Sequence, residues 1–152
     1  MKQCKVFLSL FLAAIFLSST TNAQKQFKAL LVTITNGWRH ESVHAGVLAI
    51  QQLAVRNNFD LVYFDDPNSF TDKNLAQYQL VIFLSTTGNI FDSTQKKVME
   101  RFIESGKGYV GIHSASDTEY GWDWYTKLVG RMFQTHPAIQ TAKLKVLDPA
   151  FP

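Results

Sequence analysis

Short apolar runs alternate with amphipathic segments of helical spacing along most of this 152-residue chain. The runs lie at 27–35, 60–64, 79–84 and 108–112, and we expect each of them to form a strand. Continuous apolar runs are typical of strands that are buried on both faces. Since parallel strands need long crossover connections, which are usually helices, this alternation predicts an α/β fold with a mainly parallel sheet.

The segments between the predicted strands carry signals for helix starts and ends. Residues 42–57 place apolar side chains on one helical face, and Ser42 can cap the first turn. Asp92 and Gln95 have the spacing of a capping box, and Gly106 is placed to end the helix that they begin. We expect such helices to cover both faces of the sheet.

Weaker patterns predict three further elements: a brief helix at 71–77, a helix that ends near Val129, and a last strand at 141–147. The chain stops soon after this strand, without a closing helix. We therefore expect it to be incomplete at its C-terminus. That expectation predicts an uncovered apolar edge or face of the sheet near Leu144 and Val146.

The N-terminal segment has a composition of its own. Two lysines precede an apolar run at 6–17, which is followed by small and polar residues up to Ala23. This order is typical of a secretory signal peptide, and the run is shorter than the roughly 20 residues that cross a bilayer. The pattern predicts a signal peptide at 1–23 and one mature domain at 24–152. We expect the mature protein to be periplasmic or secreted and not stably inserted in a membrane.

Loss of the signal peptide would remove the only cysteine, Cys4. The mature chain would then contain no disulfide, no thiolate metal ligand and no cysteine nucleophile. Two lysines would leave with the same segment, so that 13 basic residues face 12 acidic ones and the net charge is +1. A nearly neutral chain without a basic stripe is not expected to bind nucleic acid.

Polar and aromatic residues follow the carboxyl ends of the predicted strands, where open parallel sheets bind their ligands. These residues are Trp38, Arg39, His40, Asn89, His113, Ser114, Ser116 and Asp117. His136 lies in a later loop and could approach the same edge from the side. We therefore place the candidate site at this edge.

The histidines leave two chemical roles open. His113 and His40 suit acid/base catalysis near neutral pH, whereas His40, His113 and His136 together could bind one divalent metal ion. Each of them could also pack in the core without a catalytic role. Trp38 and Trp122 suit stacking on a sugar ring, although large aromatic residues are common in ordinary cores.

Arg39 and Asn89 are the candidate polar contacts to the same ligand. A literal zinc-protease pattern also occurs at 40–44, with histidines at both ends and a glutamate after the first one. That chemistry needs both histidines inside one helix, whereas Ser42 is expected to be the helix cap. A zinc-dependent hydrolase is therefore only a remote alternative.

Four short segments together resemble the ThuA-like, or trehalose-utilisation, family. They are Gly37 to Ser42, Gly111 to Ala115, Gly130 to Phe133, and His136-Pro137, and the resemblance extends from about Phe27 to the end of the chain. It implies a flavodoxin-like, doubly wound sheet of the kind found in class I glutamine amidotransferases. It also implies a role in carbohydrate metabolism, with a disaccharide or keto-sugar derivative as the small-molecule partner.

The amidotransferases carry a nucleophilic cysteine in the turn that corresponds to residues 111–115. His113 stands at that position here, so we do not expect cysteine-dependent amidotransferase activity. The alternative to a sugar-processing enzyme is a noncatalytic sugar-binding or interaction module that has kept the fold.

Overall fold

Each of the four apolar runs forms a five-residue strand in the computed structural model, which describes residues 24–150. The strands are β1 (Lys28–Val32), β2 (Asp60–Phe64), β3 (Leu80–Leu84) and β4 (Gly108–Ile112). The helices are α1 (Val43–Arg56), α2 (Asp72–Leu75), α3 (Ser93–Glu104) and α4 (Asp123–Val129), with 3₁₀ helices at Pro67–Ser69 and His113–Asp117. The predicted signal peptide lies outside the described residues.

The four strands form one parallel sheet in the order β2-β1-β3-β4. Leu31 of β1 aligns with Tyr63 of β2 on one side and with Ile82 of β3 on the other. The chain moves from β1 to β2 and then crosses back to β3 beyond β1, which is the flavodoxin-like, doubly wound order. The predicted fold class is therefore confirmed, and the side of the sheet to which successive strands are added changes between β1 and β3.

Alternate residues of the central strands pack on opposite faces of the sheet. Leu30 and Phe83 lie in the larger hydrophobic cluster, on the side covered by α3 and α4. Leu31 and Ile82 lie in the smaller cluster, against α1. Burial of one such side chain contributes about 1.5–3 kcal/mol, so the two clusters hold the helices to both faces of the sheet.

The helix ends follow the sequence signals in part. The capping box at the start of α3 is formed, with Gln95 N donating to Asp92 Oδ1 and Asp92 N donating to Gln95 Oε1, both at 2.8 Å. Ser42 is the N-cap residue of α1, but its side chain makes no capping hydrogen bond. That helix is held by its buried apolar residues Val43 and Ile50 instead.

The predicted strand at 141–147 is wrong, because residues 131–150 contain neither helix nor strand. Leu144 and Val146 are 92% and 74% exposed, and they do not belong to the sheet, so the apolar sheet edge expected there is not present. An alternating pattern forms a strand only where a neighbouring strand accepts its hydrogen bonds.

Within residues 24–150, none of the helices has the length and apolar character needed to cross a bilayer.

Candidate functional site

The turn after β1 is attached to the turn after β3 at the carboxyl edge of the sheet. Asn36 N donates to Thr87 O at 2.8 Å, and the Thr87 hydroxyl donates to Trp38 O at 3.0 Å. A Cβ atom on Gly88 would lie 3.0 Å from both Asn36 C and Gly37 N, so only glycine allows this close approach. These contacts fix the backbone from which Trp38 and His40 extend.

The turn after β4 is unusually sharp. His113 has φ +56°, a left-handed conformation that costs a residue with a side chain about 1–2 kcal/mol. The 3₁₀ helix begins at this residue, so the strand turns directly into a helix, as it does in a nucleophile elbow. Gly111 gives the turn room, because a Cβ atom there would lie 2.8 Å from Tyr109 Oη.

Hydrogen bonds also join the turns after β3 and β4. Gly88 N donates to Asp117 O at 2.9 Å, and Glu119 N donates to Gly88 O at 3.1 Å. The buried hydroxyls of Thr86 and Thr118 lie 2.8 Å apart. The turns after β1, β3 and β4 therefore form one connected rim.

A cavity of about 640 Å³ opens at this rim. It is lined by Trp38, His40, His113, Ser114, Ser116, Asp117, Phe133 and His136. The rings of His40 and His113 lie with their centroids 4.5 Å apart and their planes nearly perpendicular. Within residues 24–150 the lining includes no lysine and no arginine, so its basic side chains are histidines.

The segment at 131–136 forms one wall of the cavity. Phe133 N donates to Ser116 O at 2.8 Å, and Tyr120 Oη lies 2.5 Å from both Phe133 O and Asp117 Oδ1. Partial burial, together with the hydrogen bond to Asp117 and its negative charge, raises the pKa of Tyr120 to about 12. The phenol therefore keeps its proton at neutral pH.

The structure brings together seven of the residues that the sequence placed at this edge: Trp38, His40, His113, Ser114, Ser116, Asp117 and His136. Trp122, expected to line the pocket, is instead 8% exposed and stacks on Trp124 and Tyr125. Its indole Nε1 donates to Glu100 Oε1 at 3.1 Å, so its polar group is used within the core.

Arg39 and Asn89 also lie outside the cavity lining. Arg39 is exposed, and Asn89 contributes its backbone carbonyl, which accepts a hydrogen bond from Asn36 Nδ2. Phe133 was not among the predicted site residues, although it closes the Gly130 to Phe133 segment of the family resemblance. Its place in the cavity depends on hydrogen bonds across the fold, which no local pattern encodes.

The three histidines that were predicted to bind a metal ion, His40, His113 and His136, do not form a complete ligand set in the described residues. Between residues 24 and 150, no group of three or more histidine, cysteine, aspartate and glutamate side chains is arranged to hold a metal ion. His136 shares the cavity with His40 and His113 without completing a three-ligand arrangement, and its role in metal binding stays a prediction. The protease-like pattern at 40–44 is not helical throughout, because α1 begins only at Val43.

Comparison with known proteins gives the chain its family. No curated protein matches the sequence. Among solved structures, a ThuA-like protein from Bacteroides uniformis ATCC 8492 matches with a TM-score of 0.57 and 22% sequence identity. The match covers 74% of this chain and 47% of that one, so this chain spans about half the length of that relative and shares its fold. The sequence profile described as trehalose utilisation matches residues 28–152, and the chain therefore belongs to the ThuA family.

Proposed function

We propose that this chain, once exported, binds and processes an uncharged carbohydrate, a disaccharide or a keto-sugar derivative, in the cavity at the carboxyl edge of the sheet. One observation carries the proposal: two aromatic side chains, a contacting histidine pair and a carboxylate line the same cavity. Membership of a family described by trehalose utilisation supports the carbohydrate class.

The lining suits a sugar in shape and in charge. Trp38 and Phe133 offer flat apolar surfaces to the C–H face of a pyranose ring, while Ser116 and Asp117 offer hydrogen-bonding groups to its hydroxyls. A volume of about 640 Å³ lies within the usual range of small-molecule sites. The absence of lysine and arginine from the lining favours a ligand without a phosphate or carboxylate group.

His113 and His40 are the proposed acid/base pair. A neutral imidazole can accept a proton from a sugar hydroxyl or from a carbon beside a keto group, and a protonated one can return it to the leaving or newly formed group. With ring centroids 4.5 Å apart, both imidazoles can reach one bound sugar. The sharp turn at His113 holds its side chain at the cavity, which Ser116 and Asp117 of the same 3₁₀ helix also line.

The test compares two histidine substitutions in the full-length chain. Disaccharides including trehalose, and their keto derivatives, are screened for binding and for product formation. We expect His113→Ala to lower the turnover of the processed sugar by about 10²–10⁴-fold, the usual contribution of one acid/base group.

His44→Ala is the matched control, because His44 is exposed on α1 and does not line the cavity. We expect it to keep turnover within about twofold of the wild type, as is usual for surface substitutions. Full turnover in His113→Ala would reject the catalytic assignment. Binding without any turnover in the wild type would identify a noncatalytic sugar-binding module.

A further inference from the structure

We propose that Tyr120 is a positioning residue of this site, which holds Phe133 at the cavity through its phenol hydroxyl. The sugar-binding consequence rests on the proposed function, whereas the positioning itself does not. Tyr120 is not among the residues that line the cavity, so any effect on a ligand passes through residues that do.

Two wall residues meet at the Tyr120 hydroxyl. Its single proton is shared between Asp117 Oδ1 and Phe133 O, each 2.5 Å from the phenol oxygen. The amide of the same residue, Phe133 N, donates to Ser116 O at 2.8 Å. Both polar backbone groups of Phe133 are thus bonded to the segment that follows β4.

This attachment is needed because the wall has no secondary structure to hold it. Helix α4 ends at Val129, its C-cap residue Gly130 has φ +80°, and residues 131–136 form neither helix nor strand. Phe133 itself is 39% exposed, so burial of its ring contributes only part of what fixes it. Without the hydroxyl, Ser116 O would be the only described hydrogen-bonding partner of the Phe133 backbone.

The direct test is hydrogen exchange in the full-length chain without ligand. Tyr120→Phe removes only the hydroxyl, and we expect exchange of the Phe133 amide to increase by about three- to tenfold, as loss of one hydrogen bond predicts. Amides of the sheet should keep their wild-type rates. An unchanged rate at Phe133 would overturn the proposal.

Tyr63→Phe is the control. Tyr63 is 41% exposed, close to the 48% of Tyr120, and its hydroxyl also takes part in a side-chain hydrogen bond, which it accepts from Thr33 Oγ1 at 3.0 Å. It lies on β2, away from the cavity. A rise at the Phe133 amide in both variants would show general loosening and would also overturn the proposal.

Trehalose affinity tests the consequence for the ligand. We expect Tyr120→Phe to raise the Kd for trehalose by about tenfold in the wild-type background and by less than about twofold in a Phe133→Ala background, since residues that act through one another are not additive. Equal losses in both backgrounds would show that Tyr120 does not act through Phe133. If the wild type does not bind trehalose, the proposed function fails for that sugar, and the exchange result still decides the role of Tyr120.

Discussion

His113 combines a strained backbone with a side chain that the proposed chemistry requires. Its φ of +56° favours glycine, yet an imidazole stands there. We predict that the free energy of unfolding of His113→Gly is about 1 kcal/mol higher than that of His113→Ala. Both variants lack the imidazole, but only the alanine variant keeps the strained backbone conformation. Urea denaturation of the two variants measures the difference.

The same pair of substitutions separates strain from chemistry. Both variants should lose turnover to the same extent, since neither carries the imidazole. If His113→Gly proved less stable than His113→Ala, the left-handed turn would not be a source of strain. Asn58, which also has a positive φ but lies on the loop before β2, offers the control pair Asn58→Gly and Asn58→Ala for the strain alone.

Sequence reasoning located the residues that follow strand ends and missed those that reach the site through tertiary contacts. Trp38, His40 and His113 were predictable because parallel strands bring their carboxyl ends to one edge. Trp122 was misplaced because an aromatic residue that packs in a core and one that stacks on a ligand look the same in a sequence. Phe133 was missed because its position depends on Ser116 and Tyr120.

At the scale of elements, a buried glutamate joins the turns on which the site is built. Glu119 is fully buried, and its Oε1 accepts hydrogen bonds from the amides of Ile90 and Phe91 at 2.7 and 2.8 Å. Its Oε2 lies 2.7 Å from Lys96 Nζ in the first turns of α3. One carboxylate therefore connects the segment after β4 to the start of α3.

We predict that Glu119→Ala lowers the free energy of unfolding by about 3–5 kcal/mol, because it leaves two backbone amides and a partly buried lysine without their partner. Glu119→Gln should cost less, about 1–3 kcal/mol, since the amide oxygen can still accept from Ile90 and Phe91. Chemical denaturation measures both. Glu104→Ala, at an exposed position near the end of α3, should stay within about 0.5 kcal/mol of the wild type. A Glu119→Ala variant as stable as Glu104→Ala would contradict this account.

The elements themselves were largely predictable, because their signals are local. The capping box at Asp92 and Gln95 and the apolar stripe of α1 act within one helix, and both helices formed where expected. The strand expected at 141–147 did not form. An alternating apolar and polar pattern describes a single strand, whereas a strand in a sheet also needs a neighbouring strand to pair with. Its partner strand has to come from elsewhere in the structure, and the sequence does not specify it.

At the scale of the whole molecule, the packed domain ends before the described chain does. Both hydrophobic clusters involve residues no later than Met132, and residues 133–150 are exposed throughout. Ile139 and Leu144 are almost completely exposed, so they contribute little to the stability of the sheet and its helices. Exposed segments without secondary structure open at little cost and are cleaved first by proteases.

We predict that trypsin cuts after Lys143 and Lys145 at least about tenfold faster than after Lys107, which directly precedes β4 and donates to Ala76 O at 3.2 Å. The large fragment should keep the thermal midpoint of the intact chain, because it retains both clusters and the wall residue Phe133. Mass spectrometry of early fragments identifies the sites, and a K143Q/K145Q variant should lack them. Equally slow cleavage at all three lysines would mean that residues 137–150 are held by contacts beyond those of the described chain.

Cleavage after Arg131 should remain slow in the wild type and increase in Tyr120→Phe. The Tyr120 hydroxyl that fixes Phe133 also protects the nearby peptide bond between Arg131 and Met132.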